Sequence, residues 1–326
     1  MNEQIPLAGK KVVVTGGAGF IGSHLCEELV GLGADVVSVD DYSAGHARNI
    51  DFLTTKGNFR AVRADVCDRA ALAPVVAGAD VIFHNAASKK NVCLIDPQKD
   101  LRVNGGGTLN LLELAREHRV RKFVHASTGS VYGEPTVFPT DEDHPLRPVS
   151  YYGVSKLAGE RYVDVFHRLY GMDTTILRYF HVYGPRQESN EFGGVVSIFL
   201  RSILEKKPLT IFGHGRQERS FTWVKDLVRA NVAAATRPES AGRVYNAASG
   251  IQVTILDLAH RMVAMMDSKS PIVHGEPLVG DIMHFDVDNA RIRRELGVEF
   301  ERDFWGTLQR TLDEFLDHLR GVAAVR

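Results

Sequence analysis

The chain has 326 residues, 44% of them hydrophobic, and a formal net charge of −1. The length admits one large domain or two smaller ones; ordinary apolar content and near-neutral charge exclude a disordered chain and a broadly basic nucleic-acid surface. Cys26, Cys67 and Cys93 are too scattered for a disulfide framework or a zinc knuckle, no histidines pair with metal-site spacing, and no apolar run reaches the length of a membrane span.

A soluble cytoplasmic protein with no metal, membrane or nucleic-acid partner is therefore expected. Free cysteines suit a reducing compartment, and Met1 to Lys11 lacks the apolar core of a signal peptide.

Lys11 to Thr15 is a β-branched run without alternation, which predicts a buried parallel strand. It ends in a turn with glycines at 16, 19 and 22. That spacing permits a tight turn, close approach of a pyrophosphate to main-chain N–H groups, and close packing of the next helix, predicted from about Ile21 to Leu32. The amino end of this helix, around Phe20 and Ile21, suits an anion. A second strand, Val36 to Val39, ends at Asp40, whose carboxylate can accept both hydroxyls of an adenosine ribose and would repel a 2′-phosphate. Strand, glycine turn, helix, strand and acidic end together predict a dinucleotide site.

Asp41, Ser43 and Gly45 follow in a polar loop suited to wrapping the adenosine. A third strand, Phe59 to Val62, leads to Asp65 and Val66; Asp65 either accepts from the adenine amino group or simply turns the chain. Val81 to Ala87 reads as a fourth strand. Its small residues Ala86 and Ala87 sit where a cofactor needs close approach. Ser88, Lys89 and Lys90 bring polar and cationic groups to its carboxyl end, the edge where open α/β sheets bind ligands.

A helix is expected from about Pro97 to His118, with Asn104 and Gly105 to Gly107 inside it; glycine there implies close packing. A fifth strand, Lys122 to Ala126, ends in Ser127 and Thr128. The connection to residue 150 is rich in proline and acid and long for a structureless loop, which favours a functional role. Tyr152 and Lys156 open the next helix, to about Tyr170, and share one face of it. A neighbouring ammonium favours the phenolate, so a Tyr152 pKa lowered enough for a general base is expected. Asp173 to Val182 is a sixth strand. Beyond it the βα rhythm weakens: helices are expected at about 194–205 and 223–236, a strand at Arg243 to Ala247, and a last helix whose Phe304, Leu308, Leu312, Phe315 and Leu319 form one apolar stripe.

In this order the residues resemble the extended short-chain dehydrogenase/reductase family, in its nucleotide-sugar epimerase and dehydratase branch. The resemblance rests on Gly16 to Gly22, Asp40, Asp65 with Val66, Asn85 to Ala87, Asn104, Ser127 and Thr128 with Val131 to Gly133, Tyr152 with Lys156, Arg178 to Phe180, and Tyr183 to Arg186. It extends through Gly213 to Phe221, Tyr245 to Gly250, and Gly280 with Asp281. It implies an α/β fold: a Rossmann-type doubly wound parallel sheet over residues 1–180, with returning segments at about 223–248, and a smaller mixed α/β substrate domain formed mainly by 181–326.

The same resemblance implies NAD as cofactor, held by Gly16, Gly19, Phe20, Ile21, Gly22, Asp40, Asp41, Ser43, Gly45, Asp65, Val66, Ala86, Ala87, Lys89, Asn104, Tyr152, Lys156 and Tyr179. It implies a nucleotide-sugar substrate, held by Lys90, Ser127, Thr128, Tyr152, His181, Val195, Arg219 and Asp281. A homodimer formed through the helices near 97–118 and 152–170 is implied as well. Tyr152 would be the base acting on a sugar hydroxyl, Lys156 would bind the nicotinamide ribose, and Thr128 would hydrogen-bond the same sugar oxygen. Family dehydratases carry an Asp-Glu pair directly after that threonine, and related decarboxylases a glutamate at the second position. Here Gly129 and Ser130 stand there, and neither side chain is a general acid or base at pH 7. The implied course is C4 epimerisation of a UDP-sugar through a transient 4-keto intermediate. A 4-keto-sugar reductase and a non-catalytic NAD-binding sensor on the same fold are the alternatives. Two departures bear on the substrate: the family's asparagine after Arg-Tyr-Phe is His181, and an arginine near Asp281 is Leu278. His181 either donates to a phosphate or is structural.

Overall fold

Val12, Val13, Val14, Val36 and Val37 have no accessible surface, and β-branched side chains covered on both faces are what a central parallel sheet requires. In the computed structural model, which describes residues 6–88, 90–188, 193–277 and 283–324 (side chains at 90, 91 and beyond 316 excepted), they lie in β1 (Lys11–Thr15) and β2 (Asp35–Asp40). β3 (Phe59–Arg63), β4 (Val81–His84), β5 (Lys122–Thr128) and β6 (Thr174–Tyr179) join them. The carboxyl half contributes β7 (Val182–Tyr183), β8 (Leu209–Phe212), β9 (Glu218–Ser220), β10 (Thr222–Trp223), β11 (Arg243–Ala247), β12 (Gln252–Thr254) and β13 (Ile272–Gly275). The main sheet has seven strands in the order β11-β6-β5-β4-β1-β2-β3, all parallel. The short strands pair two by two, β10 with β7, β12 with β9 and β13 with β8.

The helices α1 (Phe20–Gly31), α2 (Arg69–Val76), α3 (Lys90–Ile95), α4 (Pro97–Leu101), α5 (Thr108–Glu117) and α6 (Tyr151–Tyr170) flank the sheet, followed by α7 (Val195–Leu204), α8 (Val224–Thr236), α9 (Ile255–Met265), α10 (Ala290–Leu296) and α11 (Phe304–Ala324). One apolar core joins β1, α1 and α8, a second joins the opposite face to α2, α5 and α6, and a third gathers Phe199, Ile211, Phe221, Leu258, Phe304, Leu308 and Leu312. Phe304, Leu308 and Leu312 of the α11 stripe thus pack this third core with Phe315 half-buried against it, and the Leu319 side chain lies outside the described residues. This is a doubly wound α/β fold with a carboxyl-terminal domain.

The helix expected from Pro97 to His118 is interrupted. Residues Arg102–Gly107 form a π-helical segment between α4 and α5. A Cβ at Gly107 would stand 2.6 Å from Val66 Cγ2, so the widened turn lets backbone press against the strand end. The long connection to residue 150 is tied down as a strap: the Asn246 amide donates to Glu142 Oε1 at 2.8 Å, and the Thr140 amide to the Asp286 carbonyl at 2.8 Å. The sixth strand ends at Tyr179, and the backbone turns at His181 (φ 33°) before β7.

The tightest approach is between β1 and α1. A Cβ at Gly22 would lie 2.1 Å from the Gly16 carbonyl oxygen, whereas one at Gly31 meets nothing within 4 Å. Gly22→Ala should therefore destabilise the fold by at least ~1–3 kcal/mol through overpacking. Gly31→Ala should stabilise by roughly 0.5–1 kcal/mol through reduced chain entropy. Urea unfolding of both variants checks the contrast, and equal midpoints would contradict it.

Candidate active site

Strand β1 has β2 on one side and β4 on the other, so the chain leaves its carboxyl edge in opposite directions, and the crevice formed there is the ligand position of open α/β sheets. A cavity of about 560 Å³ opens at this edge. Gly16, Gly19, Phe20, Ile21, Gly22, Asp40, Asp41, Ser43, Gly45, Asp65, Val66, Ala86, Ala87, Ser127, Tyr152, Lys156 and Tyr179 all line it. Asn104, Thr128, His181, Val195 and Arg219 do not. Lys89, the Lys90 side chain, Leu278 and Asp281 lie outside the described residues.

The glycine turn is held by the Gly16 and Gly17 amides, which donate to the Val39 carbonyl at 2.8 and 3.3 Å. At Gly19 no side chain caps α1, so the first N–H groups of the helix remain available to an anion. Gly16 has φ 68°, and a Cβ there would stand 2.8 Å from the Ala86 nitrogen; only glycine combines that backbone with that approach. Asp40 is 8% exposed, its Oδ2 accepting from the Ala18 amide at 3.0 Å and Oδ1 from the Tyr42 amide at 2.8 Å. Burial raises its pKa against those two donors. A Cβ at Gly45 would meet Asp40 Oδ2 at 2.8 Å. Asp40 is thus first a fastener of its own turn, with further lone pairs for a ligand. Asp65 Oδ1 accepts from the Cys67 amide at 2.8 Å, a turn aspartate that also faces the cavity.

Asn85 Nδ2 and Ser88 Oγ are buried atoms without a protein partner, and both residues line the cavity. Buried polar groups left unsatisfied are costly, so a polar ligand is called for. Uncapped helix amides, the glycine cradle, Asp40 and these two orphaned groups form a donor and acceptor set that fits a dinucleotide.

At the other end of the cavity α6 lies on β5. The Tyr152 phenol lies beside the Thr128 hydroxyl, whose Oγ1 donates to Ser130 Oγ at 3.3 Å, and the Lys156 ammonium donates to the Ala126 carbonyl at 2.5 Å. The expected lowering of the Tyr152 pKa is reversed. Burial, with the Asp100 charge adding to it, pushes the phenol up to about 12, while Thr128 alone pulls it back. The ammonium is itself pushed down, to about 8, by burial, against the Glu160 and Asp100 carboxylates. Desolvation outweighs the helical neighbour. Asn104 stands behind the cavity wall: its Oδ1 accepts from the Ser88 amide at 2.9 Å and its Nδ2 donates to Asp100 at 3.0 Å and Ser155 at 2.9 Å. Its side chain braces the Ser88 loop and makes no face of the cavity.

His181 is exposed, its ring edge-on to Phe221 and Phe285 at 6.1 and 6.0 Å; its left-handed backbone is one that asparagine and histidine tolerate better than most. Arg219, on β9, donates to the Glu218 carbonyl at 2.8 Å, and Val195 opens α7, half-buried. Sequence reasoning missed Gln187 and Glu188 as lining residues; they follow directly on the Tyr183 to Arg186 motif, the only available signal.

The family model described as "NAD dependent epimerase/dehydratase family" matches residues 12–248. UDP-glucose 4-epimerase of Mycolicibacterium smegmatis is 38% identical over 293 residues, covering 88% of this chain and 92% of that protein. The structure of UDP-glucose 4-epimerase from Thermotoga maritima with UDP-glucose is similar at a TM-score of 0.88 and 32% identity, covering 95% of this chain and 99% of that one. UDP-glucuronic acid 4-epimerase from Bacillus cereus, in complex with UDP-glucuronic acid and NAD, is similar at 0.86 and 32%, with the same coverage.

Removing the Thr128 hydroxyl takes away the neighbour that favours the phenolate. Thr128→Val should move the Tyr152 titration to still higher pH, read as phenolate absorbance against a Tyr152→Phe baseline. An unchanged or lower titration point would refute the contact.

Proposed function

This chain belongs to the NAD dependent epimerase/dehydratase family, and we propose that it inverts C4 of a UDP-sugar, with NAD resident in the cavity at the carboxyl edge of β1 and β4. The observation that carries epimerisation over elimination is at Gly129. A Cβ there would stand 2.4 Å from Phe180 Cε1, inside a buried ring, so an acidic side chain at 129 requires Phe180 to be displaced. The Ser130 hydroxyl is engaged by Thr128 Oγ1 at 3.3 Å and is no acid at neutral pH. Neither of these two positions thus offers a group to take a proton from C5 or to expel water.

Bound NAD would supply a hydride acceptor able to return what it takes. The uncapped amides of α1 would hold its pyrophosphate, Asp40 its adenosine ribose, and Asn85 and Ser88 groups further along the channel. Tyr152 would take the C4 hydroxyl proton and give it back once the ketone has turned its other face, with Thr128 beside its phenol. A phenol near 12 is almost wholly protonated at pH 7, so the abstraction draws on the minor phenolate form, whose strong basicity offsets its scarcity. Lys156 stabilises the phenolate and binds ribose. His181, just before β7, and Arg219, on β9, would contribute to the substrate side.

A second copy of this chain is the proposed partner. Helix α6 buries Gly153, Lys156, Gly159, Glu160 and Val163 but leaves Tyr151, Val154, Val165 and Leu169 from 42% to 68% exposed along one stripe, and Leu94 and Ile95 beside it are 72% and 84% exposed. Such a face suits self-pairing of helices. Free Cys26, Cys67 and Cys93 suit a cytoplasmic location. No helix among the described residues is long and apolar enough to cross a membrane.

The purified protein, incubated separately with UDP-glucose, UDP-N-acetylglucosamine and UDP-glucuronic acid and followed by NMR of the sugar protons, should give a product of equal mass inverted at C4, with deuterium placed at C4 retained. Tyr152→Phe should reduce turnover by roughly a hundredfold or more. Loss of the label to solvent, loss of water or carbon dioxide, or a need for added NADPH would each reject the reaction. Separately, sedimentation should give a dimer that Leu169→Glu with Val165→Glu converts to monomer; a monomeric parent would reject the pairing.

A further inference from the structure

Three residues of α6, each four apart, meet three consecutive residues of β5. Tyr152 lies beside Thr128, Lys156 donates to the Ala126 carbonyl at 2.5 Å, and Glu160 accepts from the Ser127 hydroxyl at 2.5 Å. The first two rungs carry the chemistry proposed above. The third joins a cavity-lining hydroxyl to a carboxylate that is 2% exposed.

Glu160 is fully engaged. Arg178, 3% exposed, donates from Nε to Oε1 at 3.0 Å and from Nη2 to Oε2 at 2.9 Å. Arg178 Nη1 donates in turn to the Tyr132 hydroxyl at 2.7 Å and to the Glu142 carbonyl at 3.2 Å. The Tyr132 hydroxyl donates to Asn246 Oδ1 at 2.7 Å. One chain of bonds therefore runs from the cavity wall through α6 and β6 to the strap and β11. Desolvating both charges is expensive and is offset only when every hydrogen bond is made, as it is here.

We propose that Glu160 is a positioning residue of the active site, holding the Ser127 hydroxyl in the cavity wall and supplying the counter-charge for the Lys156 ammonium, with Arg178 fixing its orientation. The assignment rests on Lys156 acting in the proposed reaction.

The groups facing Lys156 make the case. From α4 comes Asp100, from β4 His84, from β5 His125, and from α6 Glu160. Burial keeps both histidines neutral, with the Lys156 charge acting in the same direction. Burial lowers the lysine, and of the two carboxylates opposing it Glu160 is the stronger. Without Glu160 the ammonium would lose its proton at lower pH, and with it the charge that stabilises a Tyr152 phenolate.

Glu160→Gln keeps the shape and removes the charge. In the full-length protein with its copurified cofactor, NMR of lysine-labelled protein should find Lys156 titrating about one pH unit or more below the parent's value, and the alkaline limb of kcat should move down by the same amount while KM changes little. Because Glu160→Gln strands the Arg178 charge, the Glu160→Gln/Arg178→Gln pair is the second variant. It leaves no unpaired buried ion and should move the lysine in the same direction but less far, because a neighbouring cation is lost with the carboxylate. Glu160→Asp should restore the parent profile in part. A Lys156 titration unchanged in whichever of these variants folds would overturn the proposal, even if thermal stability fell. The NMR readout does not depend on turnover, so a parent protein inactive on the three sugars would refute the epimerase reading while leaving the lysine shift to decide this one.

Discussion

The site depends on how closely α6 lies on the end of β5. A Cβ at Gly153 would stand 2.7 Å from the Ser130 carbonyl, and one at Gly159 would stand 2.9 Å from the Asn104 carbonyl and 3.2 Å from His125 Nε2. Glycines in a helix interior cost about 0.5–1 kcal/mol each relative to alanine. The cost is accepted because the approach brings Tyr152, Lys156 and Glu160 within hydrogen-bond reach of Thr128, Ala126 and Ser127. A helix one methyl further out could still pack, but its polar face would be aimed at water-filled space. The burial that follows explains the high phenol and the low ammonium: proximity and desolvation come from the same packing.

That packing forces a polar layer into the interior, and the layer is closed by bonds among its own members. Asp100 accepts from Ser155 Oγ at 2.5 Å and from Asn104, whose Oδ1 in turn fixes the Ser88 amide. The widened helical turn at Arg102–Gly107 puts Asn104 at the centre of this arrangement and lets Gly107 press on Val66, itself a cavity residue. A straight helix over the same residues would present either the side chain or the glycine face correctly. The strap from Tyr132 to Ser150 serves the same end from the other side, since Glu142 and Thr140 tie β11 to the layer.

What the sequence made legible was local. Glycines at 16, 19 and 22 before an apolar helix, Asp40 at a strand end, and a tyrosine and lysine four apart are short-range patterns whose meaning survives without knowledge of the fold, and their residues come together in one cavity. Contacts between distant segments were not legible. Nothing in the spacing of Glu160 and Arg178, 18 residues apart, announces a paired and buried ion pair. Spacing likewise indicated that Lys156 faces Tyr152, yet the sign of the tyrosine's pKa change depends on burial, which no periodicity reports. Past residue 187 the strands are two to five residues long and pair with partners far along the chain, so neither alternation nor length could identify most of them.

The interior histidines complete the electrostatic balance. Thr108 Oγ1 donates to the Asn104 carbonyl at 2.6 Å and therefore accepts from His84 Nε2 at 2.9 Å. The ring's proton is then on Nε2, so Nδ1 accepts from the Thr15 hydroxyl at 2.8 Å, whose oxygen accepts the Ala86 amide at 3.2 Å. Each bond in this series has one direction, and the series ties the residue before the glycine turn to the loop after β4 and to the Asn104 brace. A protonated imidazole would break it, because Nδ1 would then have a proton where it must accept. Burial first and the Lys156 charge second hold His84 down to about 3, so the ring is neutral throughout the working range. Lys156 thus preserves the frame of the cavity as well as facing it: the two histidines beside it stay neutral, and Glu160 and Asp100 oppose its own desolvation.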